Sequence, residues 1–258
     1  MPVDVELTPQ RRGPLTVHVL ETLAPLGVDC FVTDRAGGVS AAPYDTLNLG
    51  DHVGDTATSV LENRRRVAAA AGVDVDCLVI ARQVHGADVI VVDGATDELT
   101  SDGLVTDDPS VALAILVADC VPVMLVDSDS PRVGVVHAGW RGLGADVLGR
   151  ALALFSRAER LHVLLGPAIS SAWYQVGPEV AERFRDVPGA LVPDEADRSR
   201  LDLRRVAVHQ LLARGVPSEA IYVTREVTDG GDRFYSDRAT RPCGRFGLVA
   251  RRRSMRAS

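Results

Sequence analysis

Three residues carry the chemistry this sequence offers most directly. His85, Cys120 and His137 each close an apolar, strand-like run and stand next to glycine or aspartate. Two imidazoles and a thiolate suit Zn²⁺, and three protein ligands leave a fourth position open for water or substrate. The intervals of 35 and 17 residues match no compact metal motif. The same atoms also support a metal-free reading, with Cys120 as nucleophile, His137 as base, and Asp119 or Asp102 orienting the base. Spacing alone leaves both open, beside the plainer reading of a buried cysteine and core histidines.

After His137 the chain reads Ala138-Gly139-Trp140-Arg141-Gly142, followed by Leu143, Val147, Leu148, Ala151, Leu152 and Phe155 at helical spacing. This predicts a strand, a glycine turn and a helix start. Amides of such a helix attract anions and Arg141 adds a bidentate donor, so phosphate or carboxylate fits here. The competing reading is an ordinary strand-to-helix connection.

The elements that must position these groups are legible in outline. Strands are expected at 30–33, 78–84, 89–92, 161–165, 221–224 and 246–250, and helices at 60–71, 178–185 and 201–214. The runs 111–126 and 132–137 flank the turn cluster Asp127-Ser128-Asp129-Ser130-Pro131, which predicts a hairpin. A two-residue loop at Ser128-Asp129 would set Cys120 opposite His137, within reach of a shared metal or proton. Hairpin and helical connections mix, so the expected fold class is α/β with mixed sheets, a single-domain sandwich over 1–258. Segments 1–14 and 251–258 are expected to fray, and 187–200 to form a surface excursion.

Composition removes several function classes. All 28 basic side chains are arginine, so Schiff-base lysines and Walker-type phosphate lysines are excluded. With 35 acidic residues the net charge is −7, which leaves no global cationic field for nucleic acid. The first twenty residues lack a signal-peptide core, and no run of 18 apolar residues offers a membrane span. Cys30, Cys77, Cys120 and Cys243 have no paired spacing, so reduced thiols and a cytoplasmic location are expected. Nothing in the sequence demands an interface, which makes a monomer the default. The His-x-Glu and Pro-Cys-x-x-Cys signature of zinc nucleobase deaminases is missing.

A set of motifs runs through the chain: Arg35-Ala36-Gly37-Gly38-Val39-Ser40, Tyr44-Asp45-Thr46-Leu47-Asn48-Leu49-Gly50, Val53-Gly54-Asp55 and Glu62-Asn63-Arg64. Gln83-Val84-His85-Gly86, Asp102-Gly103-Leu104-Val105-Thr106, Ala118-Asp119-Cys120-Val121-Pro122, His137-Ala138-Gly139-Trp140-Arg141-Gly142 and Gly166-Pro167-Ala168-Ile169 complete it. Together these motifs resemble the YfiH/YlmD-type laccase-domain family, also labelled polyphenol oxidase, purine nucleoside phosphorylase or peptidoglycan editing factor proteins. The resemblance spans about residues 30–250.

The resemblance implies an α-β-β-α sandwich similar to cysteine-histidine toxin domains, and a zinc site of His85, Cys120 and His137. It also implies phosphorolysis of adenosine, inosine, guanosine and methylthioadenosine, with adenosine deamination. For that chemistry Cys120, His137, Asp119 and Arg141 are the candidate catalytic residues. Arg35, Arg64, Arg141 and Arg238 are candidate phosphate donors, and Ser40, Asn48 and Gln83 candidate contacts to ribose or purine. Copper is expected to bind opportunistically at the same ligands. Purine nucleosides and phosphate are the expected partners. The chain departs from the family pattern at Val227-Thr228, at Ser171-Ala172-Trp173 and at Ser236-Asp237-Arg238-Ala239, where an acid facing inward would repel phosphate. Competing functions are a cysteine-histidine hydrolase acting on cell-wall precursors or peptides, a copper-dependent phenol oxidase, and a non-catalytic metal-binding protein.

Overall fold

The computed structural model describes residues 1–95 and 99–253. Its first half runs β1 (Val3–Val5), β2 (Thr8–Arg12), β3 (Leu15–Val19), β4 (Val28–Thr33), α1 (Ala57–Ala71), β5 (Leu78–Ile80), β6 (Val89–Val91), β7 (Gly103–Thr106), β8 (Ala112–Val117), β9 (Val121–Asp127) and β10 (Val133–Ala138). The second half adds α2 (Trp140–Gly144), α3 (Val147–Leu152), β11 (Leu161–Leu165), β12 (Gln175–Val176), α4 (Pro178–Ala181), β13 (Leu191–Pro193), β14 (Ser199–Leu201), α5 (Leu203–Ala213), β15 (Ile221–Thr224) and β16 (Phe246–Arg252).

Two large mixed sheets result. One has the order β1-β15-β11-β9-β10-β7-β6 and the other β2-β3-β4-β16-β8-β5, while β12-β14-β13 form a small third sheet. Period-two alternation explains the stacking. On β8, Leu113, Ile115 and Val117 face the core between the large sheets, whereas Ala112, Ala114 and Leu116 face the α1 side. On β9, Met124 and Val126 enter that same central core, and Val121, Val123 and Leu125 pack toward α3 and α5. Three apolar layers therefore separate α1, the six-stranded sheet, the seven-stranded sheet and the α2–α5 side, which is the α-β-β-α sandwich expected. Helix α1 starts where the Thr56 side chain accepts from the Ser59 amide and stops at Gly72, whose φ of 71° suits glycine.

Several sequence expectations change. The run 111–126 is not one strand: it turns at Ala118-Asp119-Cys120 and passes from the six-stranded to the seven-stranded sheet. Both strands are buried on both faces, so their sequence shows no break in pattern at the corner. The hairpin of β9 and β10 exists, but its register pairs His137 with Pro122 and Ala138 with Val121. Cys120 thus lies just beyond the ladder and not opposite His137, because Asp127 and Arg132 still bond across a wider loop. The helix expected after Gly139 is broken into α2 and α3 at Asp146, whose φ is 66°.

Segment 1–14 does not fray: β1 pairs with β15 and β2 with β3. Arg251 and Arg252 belong to β16, paired with Asp29 and Val28 of β4, while 254–258 lie outside the described residues. The excursion at 187–200 contains β13 and the start of β14.

Candidate metal centre

The connection between β5 and β6 and the connection between β8 and β9 both pass from one large sheet to the other. His85 sits on the first, Cys120 on the second, and His137 near the end of β10. Their ligand atoms all lie within 4.8 Å of one another. The backbone is bent to achieve this: φ is 58° at His85 and 89° at Asp119, left-handed values that favour glycine. Room for the sulfur depends on Gly139, where a Cβ would stand 2.8 Å from Cys120 Sγ. His137 is buried, Cys120 partly covered and His85 exposed, so the cluster opens on one side.

Asp102, fully buried, organises the cluster. Its carboxylate accepts from the amides of Val84 (3.2 Å), His85 (2.9 Å) and Gly86 (2.6 Å), which fixes the first ligand loop. It also lies 2.8 Å from His137 Nδ1, which directs Nε2 of that ring toward the other ligands. Burial works against its charge, yet His137 and the loop amides hold the Asp102 carboxyl below the usual carboxylate range. Burial likewise opposes a thiolate at Cys120, but the charge and hydrogen bonds of His137 and His85 bring the thiol down to about 6. Burial would lower His137, whereas Cys120 and Asp102 raise it to about 9. A thiolate beside imidazoles, with a carboxylate behind one of them, is a donor set that fits Zn²⁺.

Asp119, expected to act in catalysis, has both carboxylate oxygens engaged within the protein. Its oxygens accept from Thr228 Oγ1 (2.6 Å) and the Arg238 amide (2.7 Å), so it ties the 228 and 238 segments to the corner. The arginines separate into two kinds. Arg35 pairs with Asp45 and Arg64 with Asp51, each at 3.0 Å. Arg141 instead lies over the Trp140 ring at 4.3 Å and Arg238 over the Tyr174 ring at 5.1 Å. Neither of the stacked guanidiniums pairs with a carboxylate among the described residues. Asp237 is turned toward Arg241 (2.5 Å) and Arg245 (3.2 Å), which engages its charge.

Ser40, Asn48 and Gln83, the expected sugar and base contacts, are each hydrogen-bonded within the protein. Ser40 donates to Asp55 (2.6 Å) and accepts from Asn63 (2.8 Å). Asn48, wholly buried, donates to Gly50 O and Asp55 and accepts from the amides of Gly50 and Arg245. Gln83 donates to Leu116 O (2.7 Å) and accepts from Leu116 N (2.8 Å), extending the pairing of β8 beyond the end of β5. At Gly139-Trp140 the ordinary strand-to-helix connection is the better description of the helix start. Helix α2 has five residues, too few for a dipole of consequence.

Sequence reading missed Tyr174, whose phenol is pushed above its usual value by burial and by the nearby Cys120 charge and therefore keeps its proton. It missed Thr228 as the partner of Asp119, and it left Asp102 and Asp119 as alternatives for orienting His137. The positive-φ corner could not be read from Ala118-Asp119-Cys120, since aspartate carries no obligatory signal for it. A cleft of about 940 Å³, ample for a small-molecule ligand, is lined by two of the expected substrate contacts, Arg64 and Gln83, together with His52, Arg82, Val84 and Leu99. Among the described residues no helix is long and apolar enough to cross a membrane.

Comparison with known proteins agrees with this architecture. The chain is 41% identical over 223 residues to a purine nucleoside phosphorylase of Mycobacterium tuberculosis, covering 83% of this chain and 88% of that one. It is 37% identical over 236 residues to the purine nucleoside phosphorylase YlmD of Geobacillus stearothermophilus, covering 83% and 86%. The crystal structure of that YlmD superposes with a TM-score of 0.89 at 33% identity, covering 97% of this chain and all of the other. The YfiH protein of Bacillus licheniformis superposes at 0.88 with 29% identity, covering 94% and 98%. Residues 29–253 match the family described as multi-copper polyphenol oxidoreductase laccase, and the chain belongs to that family.

Proposed function

We propose that the chain is a zinc-dependent purine nucleoside phosphorylase that accepts adenosine, inosine, guanosine and methylthioadenosine. The observation that carries this reading is the open His85/Cys120/His137 cluster set near two guanidiniums, Arg141 and Arg238, that have no acidic partner among the described residues. Phosphorolysis joins a phosphate oxygen to C1′ as the C1′–N bond breaks and the purine leaves with the bonding pair. Arg141 and Arg238, stiffened by their aromatic neighbours, are suited to hold the phosphate with multidentate N–H groups. Asp102 holds His137 in one tautomer and His85 in its strained loop. Zn²⁺ at the three ligands would supply a Lewis acid. The similarity to proteins named purine nucleoside phosphorylases supports the same substrate class.

Adenosine deamination is the weaker activity in this proposal, since Asp102 and Asp119 are both engaged by hydrogen bonds and neither is a free base. The Cys120, His137 and Asp102 arrangement favours a second reading, a cysteine hydrolase acting on cell-wall precursors or peptides. Copper-based phenol oxidation needs several metals, and one cluster of three His and Cys ligands is present among the described residues.

The deciding experiment incubates the purified protein, assumed a cytoplasmic monomer, with adenosine, inosine and methylthioadenosine, with and without phosphate, beside Cys120→Ala. Phosphate-dependent release of free base that vanishes in the variant, together with the zinc, is expected. Activity on peptides or cell-wall fragments that survives chelators, without base release, would overturn the phosphorylase reading in favour of the hydrolase.

A further inference from the structure

We propose that Trp173 is the stacking platform for the purine base, a role that rests on the nucleoside reading above. About half of this side chain, 48%, is open to solvent, which is unusual for an indole held as firmly as this one. Its six-membered ring edge lies 3.0 Å from the point where a Cβ at Gly230 would stand, and the Cβ of Ala239 lies 3.5 Å from the same point. The indole and Ala239 therefore both close on Gly230, and Ala239 directly follows Arg238. On its other side Trp173 is followed by Tyr174, whose ring carries the Arg238 guanidinium. Arg238 in turn is tied through its amide to Asp119, next to the Cys120 ligand. The exposed indole thus borders the segment that carries Arg238, which is joined through its amide to the Asp119 corner beside Cys120.

The platform is preorganised. The amides of Trp173 and Tyr174 both donate to Ser170 O, at 3.1 and 3.0 Å, which closes a tight turn. Ser170 is fastened to the facing loop by its amide and its hydroxyl, both donating to Asp229. Thr228 in that loop donates to Ala168 O through its amide and to Asp119 through its hydroxyl. The Tyr174 carbonyl accepts from the Leu201 amide at 3.0 Å, which anchors the turn to the small sheet. A rigid, half-exposed indole offers a π-face to any base at little ordering cost. Purines, with the largest π-face among nucleobases, gain most from it, so Trp173 favours purine over pyrimidine nucleosides without reading individual substituents.

The test compares wild type, Trp173→Ala and Trp173→Phe at full zinc occupancy. In Trp173→Ala the KM for inosine and adenosine is expected to rise about tenfold, from the usual worth of base stacking. The kcat, the phosphate KM and the zinc content are expected to stay within about twofold, and Trp173→Phe to restore most of the nucleoside affinity. An unchanged nucleoside KM in Trp173→Ala would overturn the platform and leave the phosphorylase reading standing. Titration of free hypoxanthine and adenine against tryptophan fluorescence gives a readout that needs no turnover. Quenching in wild type that is lost in Trp173→Phe supports the platform even if wild type releases no base. No quenching in wild type, or equal quenching in both, overturns it, since Trp140 would then be the reporter.

Discussion

Two clusters of polar residues in this molecule have opposite fates. The first, Ser40, Asn48, Asp55 and Asn63, lies between the α1 side and the loop before it, and its members bond to one another and to backbone. Asn63 alone makes four such contacts, donating to Ser40, Thr46 O and Asn48 O and accepting from the Val39 amide. The second, around Cys120, leaves capacity unused: three ligand atoms converge, and two arginines rest on aromatic rings without an acid. The hydrogen-bond accounts tell the two apart. A closed account builds scaffold and an open one leaves room for a ligand.

Perturbing each cluster sharpens the contrast. Asp102→Asn should weaken zinc binding by about 10- to 100-fold, measured by competition with a chromogenic chelator, because His137 and the His85 loop lose their common acceptor. Asn63→Ala should do the reverse, leaving zinc affinity unchanged while costing about 2 kcal/mol of stability, read in a urea titration. An effect of Asn63→Ala on zinc would erase the distinction between scaffold and site. Among the arginines, Arg141→Ala and Arg238→Ala should each raise the phosphate KM about tenfold, whereas Arg35→Ala should leave it unchanged.

The smallest signal is a position on a pH axis. In metal-stripped protein, alkylation of Cys120 by iodoacetamide should be half-maximal near pH 6, far below an ordinary thiol, because protonated His137 favours the thiolate. The depressed value means the thiolate is lost as pH falls through about 6, while His137 keeps its proton until about 9. The rate gain at neutral pH should be only several-fold, since nucleophilicity falls with thiol basicity. A midpoint near that of an unperturbed cysteine would remove the ion pair from the description.

The sequence made some of this legible, for reasons that trace to particular residues. The ligands His85, Cys120 and His137 stand out because each ends an apolar run, and the layer count follows from the number of such runs. The corner at Asp119 stays hidden because β8 and β9 are covered on both faces and alternate with nothing polar. The roles of Gln83, Ser40 and Asn48 stay hidden for a different reason. Whether an amide is free depends on partners up to 197 residues away, as with the Arg245 amide that bonds Asn48. Arg35, stacked over Tyr235 much as Arg141 and Arg238 stack on their rings, differs from them in having an aspartate within reach.

Two of the three candidate metal ligands ride on chain segments that cross from one large sheet to the other. A bound ion would therefore act as a clasp between the two layers. Any breathing motion that parts the sheets also parts the ligands, so the speed at which a chelator strips the metal becomes a clock for that motion. Loading the ion would stabilise the docked layers by mass action, and neither sheet separated from the other would hold it.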